Sequence, residues 1–136
     1  MENGDEDSDL TYVPKHIRVY EISGPLFFGA AEALTEIHFK DFTKCLVLRM
    51  RAVPAIDSTA MNALENICDA CEKRNIRLIL SHVNEQPMRA MEKAGFVDRV
   101  GRENFRPNIE AALEWANQCA NNIEEDKTGI KDKSYI

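Results

Sequence analysis

Apolar positions along the chain fall into two kinds of pattern, short continuous runs and stripes spaced i, i+3, i+4, i+7. Ile17 to Ser23 (IRVYEIS) has β-branched and aromatic residues on both parities, which predicts a strand covered at least partly on both faces. Cys45 to Met50 (CLVLRM) is a near-continuous apolar run, the sign of a central parallel strand. Arg49 breaks that run near its end and must reach solvent or a carboxylate. Ile76 to Ser81 repeats the buried-strand pattern. Phe96 to Val100 (FVDRV) is short and alternating, which reads as an edge strand or a turn, and Leu10 to Val13 could add a further edge strand that Pro14 interrupts.

The stripes lie between these runs. Ala30, Ala33, Leu34 and Ile37 predict a first helix starting near Gly29 or Ala30. Met61, Leu64, Cys68 and Cys71 mark a second that runs from the Asp57 loop to about Lys73, closed by Arg74-Asn75 because Asn tolerates the left-handed cap conformation. A third has Asn84 as its N-cap, Pro87 in its first turn and Gly95 as its left-handed stop, with Phe96 folding back on Met91. The last begins after Pro107-Asn108 and buries Ile109, Ala112, Leu113, Ala116 and Ala120, with Trp115 at the rim. Strand and helix thus alternate, which predicts an α/β fold: a mainly parallel sheet of four to five strands with four helices and right-handed crossovers. In such sheets the functional edge lies at the carboxyl ends of the strands. Gly24 to Phe28, the Asp57 loop and the Ser81 to Asn84 loop all fall there.

Composition adds boundaries. The 136 residues are enough for one domain with a proper core. Residues 1–14 read as an acidic flexible linker, 15–120 as the folded domain and 121–136 as a polar C-terminal tail. The net charge of −6 sits at the ends: residues 1–14 sum to −5, residues 121–136 to −1, and the middle cancels. A neutral middle between acidic ends lacks the basic footprint of a nucleic-acid binder and favours protein or small-anion partners. No apolar run approaches the ~20 residues that cross a bilayer, and the start MENGDEDSD is unlike a signal peptide. The expectation is a soluble, cytoplasmic chain with no direct insertion into a membrane.

Catalytic chemistry is hard to find. Cys68 and Cys71 form a C-x-x-C without a second pair or a nearby histidine to complete a zinc site, and they lie deep in a helix rather than at its N-terminus, so they read as small apolar core residues. The glycines form no phosphate-binding loop. Ser58, His82 and Asp57 could be drawn as a hydrolytic cluster, but no nucleophile-elbow glycines surround Ser58, and adjacent Asp and Ser explain themselves as helix caps. The reading is no catalytic residues, no metal and no cofactor. What remains is Asp57-Ser58-Thr59-Ala60, a hydroxyl-rich start to a helix, where unpaired N–H groups and the helix dipole favour an anion or an added phosphate.

Two stretches carry a resemblance: Val53 to Leu64 (VPAIDSTAMNAL) and Ile17 to Gly29 (IRVYEISGPLFFG). With the alternation, they resemble the STAS domain of bacterial anti-sigma factor antagonists and of the cytoplasmic C-terminal part of SulP anion transporters, over about residues 15 to 118. The paired Phe27 and Phe28 look like the transporter branch, since antagonists usually have an acidic residue and no paired aromatics there. The resemblance implies the STAS fold and a non-catalytic regulatory, protein-binding domain of a SulP-type sulfate, bicarbonate or dicarboxylate transporter, at the cytoplasmic face of the inner membrane. Its partners would be the transporter membrane domain or a cytosolic protein, met through Pro25, Phe27, Phe28, Asp57, Ser58, Thr59 and His82. Two alternatives stay open. One is a free-standing anti-sigma factor antagonist switched by phosphorylation at Ser58, the serine that follows the loop aspartate. The other is a sensor with weak nucleotide or anion binding at the same helix end. Ala60 stands where the family commonly has glycine, which would put a methyl group in the path of a partner's backbone.

Overall fold

The computed structural model describes the main chain at residues 13–23 and 42–128, and side chains at 13–22 and 42–120. Four parallel strands form one sheet in the order β1-β2-β3-β4, where β1 is Ile17–Ser23, β2 Cys45–Ala52, β3 Arg77–Ser81 and β4 Phe105–Arg106. The helices are α1 (Ser58–Lys73), α2 (Glu85–Lys93), α3 (Phe96–Val100) and α4 (Ile109–Thr128). The expected helix over residues 30–37, the Leu10–Tyr12 part of the possible edge strand, and Pro25, Phe27 and Phe28 fall outside the described residues.

Strand parity sorts the core into two layers. Leu46, Leu48, Leu78 and Leu80 face α1, which contributes Leu64, Ile67, Cys68 and Cys71, and the α2–α3 corner, which contributes Met91, Phe96 and Val97. Cys45, Val47 and Ile79 point to the other face and meet Ile109, Ala112, Ala116 and Ala120 of α4. Alanine at every fourth position lets α4 approach the sheet closely, near enough for the Cys45 thiol to donate to Ala116 O at 3.6 Å. The two thiols of the C-x-x-C are 4% and 1% exposed, as their place on the apolar stripe predicts.

Three expectations need correction. Phe96–Val100 is a helix and not a strand or turn, and the fourth strand lies later, at Phe105–Arg106. The reason is visible in the burial: Phe96 and Val97 are consecutive yet both buried, and Val100 packs beside them, a helical i, i+1, i+4 spacing that a strand would split between two faces. β2 runs two residues past Met50, and its register with β1 slips so that Glu21 faces Arg49 while Ser23 faces Ala52. Lastly, α4 continues to Thr128, into the segment read as a polar tail; no Gly or Pro interrupts it before Gly129. The stops of α1 and α2 follow the expected chemistry. Asn75 and Gly95 both adopt the left-handed conformation, with φ of 59° and 77°, just beyond α1 and α2.

Candidate functional site

The loops after β2 and β3 lie side by side because their strands are hydrogen-bonded neighbours. β2 ends at Ala52, and the chain turns through Val53, whose N–H donates to Met50 O at 3.0 Å. Val53 and Ile56 are buried and anchor the loop, leaving Asp57 to start α1. Asp57 is the N-cap: its Oδ1 accepts from Ala60 N at 2.9 Å. Ser58 and Thr59 are exposed on the first turn of α1. Ala60 is fully buried, so its methyl group belongs to the core and does not stand in the path of a partner, contrary to what its place in the family pattern suggested.

Sequence reasoning missed what holds this loop. Gln86, in the first turn of α2, clamps the main chain of Ile56 at both polar atoms: Ile56 N donates to Oε1 at 2.9 Å and Nε2 donates to Ile56 O at 3.2 Å. Asn84 sits at the N-cap position of α2, as expected, yet makes no side-chain cap bond. Its amide nitrogen instead donates to Arg51 O at 3.1 Å and Val53 O at 2.9 Å. The loop after β3 therefore fastens the loop before α1 at four points, and Ser58 and Thr59 project from a fixed base. An Asn ahead of a helix is so well explained as a cap that its sequence gives no sign of this diversion.

A second missed feature lies just below the loops. Glu21, Arg49, Ser81 and Arg106 are register neighbours across all four strands, a polar row on the α4 face of the sheet. Arg49 is only 3% exposed and its Nη1 lies 3.7 Å from Glu21 Oε1, so of its two predicted destinations it takes the carboxylate. Arg51 reaches the same carboxylate, Nε to Oε2 at 3.3 Å. The apolar interruption at Arg49 was the available signal. Its partner was not legible, because pairing depends on register.

His82 lies on the same edge but turns elsewhere. It is exposed, with φ of 54°, and its N–H donates to Arg106 O at 2.9 Å. Its side chain lines a cleft of about 540 Å³ with Val83, Met88, Phe105 and Arg106. Among the described residues no hydrogen bond joins it to Ser58, so the geometry assembles no Ser-His-Asp relay there. Among the described residues, too, no helix is long and apolar enough to cross a membrane.

Comparison with known proteins agrees with this geometry. The profile of the STAS domain matches residues 10–112. The protein named "Putative sulfate transporter YvdB" of Bacillus subtilis (strain 168) is 30% identical over 92 residues, 65% of this chain and 17% of that one. The chain spans only 15 to 17% of the length of the curated relatives it matches. Among solved structures, a sulfate transporter family protein from Wolinella succinogenes is 36% identical with a TM-score of 0.77, covering 88% of this chain and 99% of that one. The SulP transporter STAS domain from Vibrio cholerae is 30% identical with a TM-score of 0.67, covering 90% and 98%. The chain therefore belongs to the STAS domain family, on its SulP sulfate-transporter branch.

Proposed function

We propose that this chain is the cytoplasmic, non-catalytic regulatory domain of a SulP-type anion transporter, folded over residues 15–120, and that it docks on the transporter's membrane domain through the edge formed by Asp57, Ser58 and Thr59. The observation that carries the reading is the likeness to the SulP transporter STAS domain over nearly the whole of both chains. The local geometry supports it: two exposed hydroxyl side chains on a helix start that four side-chain hydrogen bonds hold in place make a surface with little conformational entropy to lose on binding. Sulfate, bicarbonate and dicarboxylates are the candidate transported ions. The test is a titration of the isotope-labelled chain with the detergent-solubilised membrane domain of the same transporter. Amide signals of residues 57–59 and 84–86 are expected to shift or broaden, and Ser58→Glu to weaken the effect. Shifts confined to α4, with none at this edge, would contradict the proposal.

A second reading rests on the exposure of Ser58. A phosphate on its hydroxyl would lie at the positive end of α1 and beside the Asp57 carboxylate, so it would change the charge of the docking edge more than the stability of the fold. Phosphopeptide mass spectrometry of the protein from its own cells is expected to find modified Ser58 under some growth condition. Unmodified Ser58 under every condition tried would exclude this reading and leave the docking proposal standing.

A further inference from the structure

We draw no further inference here: the strongest candidate, the cleft between the start of α2 and the edge strand β4, lined by His82, Val83, Met88 and Phe105, carries nothing because nothing in the structure shows what covers it.

Discussion

Gln86 uses both ends of its amide on a single buried residue, Ile56, whereas Asp57 caps one exposed helix end. The two roles differ in what is left behind when the side chain is removed. Asp57→Ala removes a single cap bond, the one its Oδ1 accepts from Ala60 N, a loss of about 1 kcal/mol. Gln86→Leu leaves the N–H and C=O of Ile56 without partners where Ile56 itself is 3% exposed, and unpaired buried groups cost about 1–3 kcal/mol each. Gln86→Leu is therefore expected to be the more destabilising substitution, by at least about 1 kcal/mol in urea denaturation, although a helix-cap aspartate in a signature loop is the more conspicuous residue in the sequence. Ser58→Ala at the exposed first turn is expected to leave stability within about 0.5 kcal/mol of the parent. The identity of the loop residues was legible from their types and order. The residues that hold them were not, because hydrogen bonds across 30 positions of chain follow from strand adjacency and register rather than from local pattern.

The elements were legible where one physical signal dominated. Apolar runs located the first three strands, and the Asn75 and Gly95 stops gave the ends of α1 and α2 because left-handed backbone favours these residue types. Gly95 makes a sharp test. A Cβ built there meets nothing within 4 Å, so any cost of Gly95→Ala comes from its φ of 77° and not from a clash. The expected loss is about 1 kcal/mol, measured as a lower urea midpoint with an unchanged slope; an unchanged midpoint would mean that the turn relaxes. Signals of similar strength competed where the reading failed. Over Phe96–Val100 a five-residue alternation outweighed a helical burial pattern too short to recognise, and the two-residue β4 is below the length at which any pattern exists. Asn104 belongs with these. It is 4% exposed, accepts from both Arg77 and Trp115, and donates to Val100 O at 2.7 Å, tying α3, β3 and α4 together from inside a 3₁₀ turn at Arg102–Asn104. Nothing in its neighbourhood along the chain announces that.

At the scale of the whole molecule the sheet separates two ends with different chemistry. The carboxyl end carries the Asp57 edge and the Glu21–Arg49–Ser81–Arg106 row, and the other end carries a cleft where α1 ends and β3 begins. That second end also holds thiols that link stability to pH. Burial raises Cys45 to about 11 and Cys71 to about 12 from an ordinary value of 9.0, so the folded chain holds protons that the unfolded chain releases as pH rises above 9. Their contribution to stability is therefore intact below pH 9 and is lost as pH rises through 11 and 12, with a slope of up to about 1.4 kcal/mol per pH unit for each thiol. Cys71→Ala is expected to be less stable at pH 7 but to lose less on going from pH 9 to 11 in urea denaturation; an identical slope would contradict the assignment.

The acidic ends and neutral middle suit a domain that meets other proteins. If the Asp57 edge is where this domain governs a SulP-type transporter, changing the edge must change transport. The direct measurement is initial-rate anion uptake into vesicles holding the full-length transporter, with Ser58→Glu and Thr59→Arg compared against Gln118→Lys, an exposed change on α4 just past Ala116, which meets Cys45 at the start of β2 and so lies at the opposite end of the sheet. The expected result is a change of about fivefold or more for both edge variants, at equal protein in the membrane, and none for the α4 control. Uptake unchanged by the edge variants would contradict the account.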